Sequence, residues 1–198
     1  LAAEVLGGDE RALELRLEHP SHPANVLNVA RQVRSLIASQ HEDGTWRFGG
    51  GKAGDWPEEG VNYKVLGPIG ASEVGLSASN AETVLDFALM TGDPEATQAG
   101  LKALGAMRAF RVPRAAQVWE VPVHTPDILA SARAVDAYLA GYRLTGDKSW
   151  LTDAVYWART GLPFVYVWQP GDQPAMQGAS IPVFGATGYG LSWFAVAV

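Results

Sequence analysis

The sequence predicts an all-α fold made of stacked helical hairpins, and three observations predict it. Apolar residues recur at three-four spacing in one window after another. Residues that end helices stand directly beside residues that start them. The pairing is also repeated: Leu89-Met90-Thr91-Gly92-Asp93 returns as Arg143-Leu144-Thr145-Gly146-Asp147, an offset of 54 residues. In each copy the glycine closes one helix and the aspartate caps the next. The product is a hairpin that cannot bury its apolar face alone, so a neighbouring hairpin has to cover it. The chain has 198 residues, 47% hydrophobic and 18% charged, enough for one sizeable core but not for two domains. Residues 1–198 are therefore expected to belong to a single domain.

The first helix places Val26, Val29, Ala30, Val33, Leu36 and Ile37 on one face and leaves Arg31, Gln32, Arg34 and Ser35 off it. It runs into Gln40-His41-Glu42-Asp43-Gly44-Thr45-Trp46. There Asp43-Gly44 turns the chain, Gly44 can take a positive φ, and the Trp46 indole can fold back over the finished helix. A long glycine-rich stretch from Phe48 to Ser79 follows. Ser79-Asn80-Ala81-Glu82 has capping-box spacing and predicts the start of a second helix, continued by Val84, Leu85, Ala88 and Leu89 and stopped at Gly92. Asp93 as N-cap and Pro94 as first helical residue open the third, with Ala96, Ala99, Ala103, Met107 and Phe110 on one face. Thr125-Pro126 opens the fourth in the same way; its stripe is Ile128, Ala132, Val135, Leu139 and Tyr142, and it ends at Gly146. The fifth starts at Asp147, carries Trp150, Leu151, Ala154, Val155, Trp157 and Ala158, and ends at Gly161 and Pro163. Phe164 to Trp168 and Ile181 to Phe184 are short, β-branched and aromatic, and predict extended loop segments.

Gln40, Gly44 and Trp46, spaced Gln-x3-Gly-x-Trp after an apolar helix, resemble the QW repeat of the terpenoid cyclase and prenyltransferase α/α toroids. In that family the Gln and Trp tie the end of one helix to the next hairpin, so the resemblance implies architecture. The Asp-x-Asp-Asp run with which a cyclase protonates an alkene is absent from the sequence, which argues against cyclase chemistry. Over residues 80–168 the Thr-Gly-Asp hairpins resemble those of the six-hairpin glycosidase superfamily, whose (α/α) barrels handle carbohydrates. The two resemblances together imply an (α/α) helical-hairpin toroid with long irregular rim loops. A closed ring of six hairpins needs twelve helices and about five fit here, so an incomplete barrel completed by the rest of a parent chain is expected. Thr-Gly-Asp turns also occur in tetratricopeptide-like solenoids, and a helical-repeat scaffold that binds protein is the corresponding alternative.

Glycoside chemistry needs two carboxyl groups flanking the scissile bond, one protonated and one ionised. Asp55, Glu58 and Glu59 lie in the glycine-rich stretch, and Glu120 lies in Gln117-Val118-Trp119-Glu120-Val121-Pro122-Val123-His124. Apolar neighbours Trp119, Val121 and Pro122 would raise the pKa of Glu120, as a general acid requires; a salt bridge to Arg111, Arg114 or Arg133 is its structural alternative. His124 beside a helix start is a candidate base or a local hydrogen-bonding group. Asp127 is a candidate substrate contact, or a first-turn carboxylate that stabilises the helix dipole. Trp56, Tyr63, Trp119 and Trp168 lie outside the long helices and suit stacking against pyranose faces, whereas Trp46, Trp150 and Trp157 read as packing. The expected function is a carbohydrate-active enzyme, glycoside hydrolase or lyase-like. An isoprenoid- or lipid-binding toroid is the second reading and the protein-binding scaffold the third.

Other classes fit poorly. Gly49-Gly50-Gly51-Lys52 lacks both the earlier glycine and the following Ser or Thr of a phosphate-binding loop. Pro20 separates His19 from His22 and breaks the helix face they would share, so no metal site and no cofactor are expected. A net charge of -6 without a basic stripe argues against nucleic acid. No apolar run reaches the ~18 residues of a membrane span and the first residues do not form a signal peptide, so a soluble protein of open localisation is expected. There is no cysteine, which excludes thiolate chemistry. A small-molecule or oligosaccharide substrate is the expected partner.

Overall fold

The computed structural model of the chain describes residues 23–48, 69–115 and 126–164. These residues form an all-α fold of five helices: α1 (Pro23–Ser39), α2 (Val74–Thr91), α3 (Pro94–Met107), α4 (Ile128–Thr145) and α5 (Lys148–Gly161). A short 3-10 turn, Leu162–Phe164, follows α5. Helices α2 and α3 make one hairpin and α4 and α5 a second; α2 packs along α4, and α1 rests on α2 and touches α3. The N-terminal ends of α2 and α4 lie together. The Gly75 N–H donates to the Arg114 carbonyl and the Asp127 N–H to the Pro113 carbonyl, so one stretch of backbone brackets both helix starts. Helices α2 and α4 are therefore parallel, and α3 and α5 run back beside them.

The Thr-Gly-Asp repeat has the same mechanism in both hairpins. Gly92 and Gly146 take φ of 70° and 71°, and their N–H groups donate to the Ala88 and Tyr142 carbonyls. The Thr91 and Thr145 hydroxyls donate back to the Phe87 and Gly141 carbonyls at 2.7 and 2.8 Å, and each accepts the N–H of the aspartate that follows at 3.2 Å. Asp93 then caps Ala96 N–H and Asp147 caps Ser149 N–H. Threonine, glycine and aspartate each satisfy backbone groups that the helix ends would otherwise leave open.

The turn after α1 also forms as expected. Gly44 has φ 87°, Asp43 accepts from the N–H and hydroxyl of Thr45, and the buried Trp46 indole donates to the Leu36 carbonyl at 2.9 Å. The Gln40 amide donates to the carbonyls of Gly44 and Ala99, both at 3.0 Å, so it ties the end of α1 to α3. Arg34 adds ion pairs to Asp93 and Glu95 at the start of α3.

The core relies on small residues where helices approach. A Cβ on Gly100 would overlap the Leu85 side chain, and one on Gly141 would overlap Leu104. Helix α4 buries Ala130, Ser131, Ala134, Ala137, Tyr138, Ala140 and Gly141. The larger residues of its predicted stripe, Ile128, Ala132, Val135, Leu139 and Tyr142, are only half-buried, because the alanine side makes the close approach to α2. Tyr138 is fully buried; its hydroxyl donates to the Leu104 carbonyl at 3.0 Å and its ring stacks on Trp150 at 5.9 Å.

Four boundaries differ from the sequence reading. Helix α3 ends at Met107, so Phe110 lies beyond it. Helix α2 starts at Val74 with Glu73 as N-cap, so Ser79 and Glu82 lie inside the helix and form no capping box; burial of Val74, Ser77 and Ala78 in the core extends it toward its N-terminus. Helix α4 is capped by Asp127, not Thr125. Gly161 ends α5 without a left-handed cap, since Leu162 continues in right-handed geometry; its small size instead accommodates Ser131, 3.3 Å from where a Cβ would stand.

Candidate functional site

The backbone brings Phe48, Gly70, Arg114 and Pro126 to one end of the helix array. The Phe48 N–H donates to the Ala71 carbonyl and the Gly70 N–H to the Phe48 carbonyl, which places residues 48 and 70 side by side just ahead of α2. Arg114 and Pro126 form an isolated antiparallel bridge, which joins residues 115 and 126 beside the same helix end. Gly161 sits against Ile128 and Ser131, so the turn ending at Phe164 leaves from the first turn of α4. Phe48, Gly70, Arg114, Pro126 and Gly161 thus lie near the N-terminal ends of the parallel helices α2 and α4.

A cleft of about 550 Å³ opens beside this end, lined by His41, Trp46, Arg47, Phe48, Ile69 and Asn80 among others. It combines aromatic and apolar walls with two amides or imidazoles and one guanidinium, the mixture that receives an amphipathic polar ligand. Arg47 is held by an ion pair to Asp43 and donates to the Gly70 carbonyl, so its position follows from the turn after α1. The glycine of that turn and the tie from Gln40 to α3 fix one wall of the cleft before any ligand arrives.

A charged group bridges α2 and α4 further along. Arg133 donates to the Glu82 carboxylate at 3.1 Å, and Asp136 lies one turn on from Arg133. Burial pushes the Glu82 carboxyl above the ordinary range; Arg133 pulls it down, and Asp136 and Asp86 push it up again. Burial likewise raises Asp136, against Arg133 and Arg143. Glu82, paired with Arg133 across α2 and α4, and Asp136 of α4 thus both hold protons more tightly than usual. Sequence reading missed this group because Glu82 had the spacing of a cap. The available signal was the helical offset itself: Arg133 and Asp136 share a face of α4.

Of the residues singled out from the sequence, Asp127 lies among those described. It is 2% exposed, and its carboxylate accepts the Ala130 N–H at 2.7 Å as the N-cap of α4. Asp55, Trp56, Glu58, Glu59, Tyr63, Trp119, Glu120, His124 and Trp168 lie outside the described residues, as do His19, His22 and Thr125. Trp157 is buried and Trp150 packs between Tyr138 and the Arg108 guanidinium, 4.3 Å above its ring, as packing residues. Arg133, considered as a partner for Glu120, is paired with Glu82. Among the described residues no three His, Cys, Asp or Glu side chains gather in a metal-binding arrangement, and no helix is long and apolar enough to cross a membrane. No family model, curated protein or solved structure matches the chain.

Proposed function

We propose that this chain forms part of an (α/α) hairpin barrel of the six-hairpin glycosidase type that acts on carbohydrate through paired carboxyl groups. The observation that carries the proposal is the stacking of two Thr-Gly-Asp hairpins through the parallel helices α2 and α4, whose N-terminal ends lie side by side. The sequence between Phe48 and Ile69 holds Asp55, Trp56, Glu58, Glu59 and Tyr63, that between Ala115 and Pro126 holds Trp119, Glu120 and His124, and Trp168 follows Phe164. Carboxyl groups and flat aromatic rings are what glycoside cleavage uses: one acid to protonate the leaving oxygen, one base or nucleophile, and ring faces to hold the sugar. In this reading Glu120 is the general acid, Asp55, Glu58 or Glu59 supplies the second carboxylate, and His124 is a candidate base. Asp127 acts as the buried N-cap of α4.

The isoprenoid-binding reading draws support from Gln40 and Trp46, whose contacts match the role of a QW repeat. The Glu82–Arg133 ion pair between α2 and α4 weighs against an apolar cavity along those helices.

The test is binding and turnover of an oligosaccharide panel by the protein and its Glu120→Gln variant, with turnover followed as new reducing ends. Saturable binding by both, with turnover lost only in the variant, is the expected result. Absence of binding to every oligosaccharide would remove the carbohydrate reading.

A further inference from the structure

The cleft at the end of α1 is built on backbone that the turn already fixes. The His41 N–H donates to the Thr45 carbonyl and the His41 carbonyl accepts the Gly44 N–H, both at 2.9 Å, so His41 projects from a closed loop. Arg47 is held at both tips of its fork, by the ion pair to Asp43 and by the bond to the Gly70 carbonyl at 3.4 Å. Asp43 is held in turn by the N–H and hydroxyl of Thr45, at 2.9 and 2.7 Å. Asn80 joins the lining from the second turn of α2.

That lining runs against the charge of the chain. Acidic residues outnumber basic ones by 21 to 15, yet no carboxylate lines the cleft, while a guanidinium, an imidazole and an amide do. Neither the His41 ring nor the Asn80 amide hydrogen-bonds to another described residue. A guanidinium has five N–H groups, and Asp43 and Gly70 take only two of those on Arg47. Donors are therefore in excess, and the group that satisfies them is an acceptor carrying negative charge. Asp43 does not fill that role for the cleft, because one of its oxygens is committed to Thr45 and the other to Arg47.

The remaining walls are apolar. Trp46 and Phe48 are buried, whereas Ile69 is 78% exposed, so an apolar body seated in the cleft would take a large side chain out of water. Beside it, a Cβ on Gly70 would meet nothing within 4 Å, so the space there is open. At about 550 Å³ the cleft has room for a small ring with a short side chain.

We propose that this cleft binds a small amphipathic carboxylate, with its charged end on Arg47, His41 and Asn80 and its apolar body against Ile69 and Phe48. None of these residues is among those assigned to glycoside cleavage, so the site does not rest on that reading.

The test is a titration of the whole chain with phenylacetate, beside phenethyl alcohol, which lacks the charge, and acetate, which lacks the ring. Binding is followed by proton–nitrogen correlation NMR at the Gly70 amide, the Asn80 side-chain amide and the Arg47 Nε–H. The expected result is saturable shifts at these three places, with a Kd on the order of 1 mM for phenylacetate and about ten-fold weaker binding of the other two probes. Arg47→Gln is expected to bind phenylacetate and the alcohol alike, with the Trp46 indole N–H, bonded to the Leu36 carbonyl, reporting that the turn is still formed. If the turn is lost in that variant, Ile69→Glu carries the test. Its side chain is exposed, so the fold tolerates the change, and the new carboxylate is expected to weaken phenylacetate binding about ten-fold. Equal affinity for phenylacetate and the alcohol, saturable shifts confined to other residues, no saturation at about ten times the expected Kd, or unchanged binding in Ile69→Glu would each overturn the proposal.

Discussion

At Gly44 the backbone takes φ 87°, and a Cβ there would stand 2.8 Å from the Lys102 carbonyl oxygen. Strain from the left-handed conformation adds to the clash with α3, so Gly44→Val is expected to cost about 2–4 kcal/mol, read as a shift in the urea midpoint. An unchanged midpoint would contradict the turn described. Asp127 is the buried cap of α4, and Asp127→Ala is expected to cost about 1–2 kcal/mol while Asp127→Asn keeps most of the cap. Glu82 carries a pH dependence. Its folded-state pKa is raised by burial, so the native state holds that proton more tightly than the unfolded chain. Its contribution is fully present below the ordinary carboxyl range and is lost as pH rises through the folded value. Asp43, Asp93 and Asp147 are lowered by their hydrogen-bond partners and act in the opposite direction: their contribution is present above the ordinary range and lost on acidification. Comparing the protein with Glu82→Gln isolates the first effect. The variant is expected to gain stability relative to the parent as pH rises from the ordinary carboxyl range toward neutrality. A difference independent of pH would show that Glu82 ionises normally.

At the scale of the helices, the same substitution has opposite consequences according to what it faces. Gly105 is exposed in α3 with nothing within 4 Å of a new Cβ, so Gly105→Ala is expected to stabilise by about 0.5–1 kcal/mol through backbone entropy. Gly100, on the same helix, faces the branch point of Leu85, and Gly100→Ala is expected to destabilise by about 1–2 kcal/mol after that propensity gain is counted. Thermal midpoints moving in the same direction for both would remove close α2–α3 packing as the reason for Gly100. Helix ends marked by glycine, aspartate and proline were legible because their causes are local: Gly92, Asp93, Pro94, Gly146 and Asp147 act within a few residues of themselves. The start of α2 was not legible, because it is set by burial of Val74 and Ser77, while the Ser79–Glu82 spacing imitates a cap. The buried side of α4 was misjudged for a related reason. Large apolar residues draw attention in a periodicity count, yet the alanine side is what permits the close approach to α2.

At the scale of the molecule, contacts run between neighbours: α1 with α2 and α3, α2 with α3 and α4, α3 with α4, α4 with α5. The repeat foretold this order, since one hairpin motif used twice must stack. The candidate site was less legible. Glu82 and Arg133 are separated by 51 residues and meet only through the packing of parallel helices, which no local pattern encodes. Stability in such an array is close to a sum of hairpin terms and nearest-neighbour interfaces, so damage at one edge should remain there. Gln40 tests that. Its amide closes the turn on Gly44 and joins α1 to α3 at Ala99, at the edge away from α5. Gln40→Ala removes both bonds and is expected to cost about 1–2 kcal/mol. In native-state hydrogen exchange, the loss should appear as faster exchange in α1. The amides around Tyr138 in α4 and Trp157 in α5, which are bound to α3 and to each other, should exchange as before. Equal acceleration in α1, α4 and α5 would instead show one cooperative unit, in which the two hairpins and α1 open together.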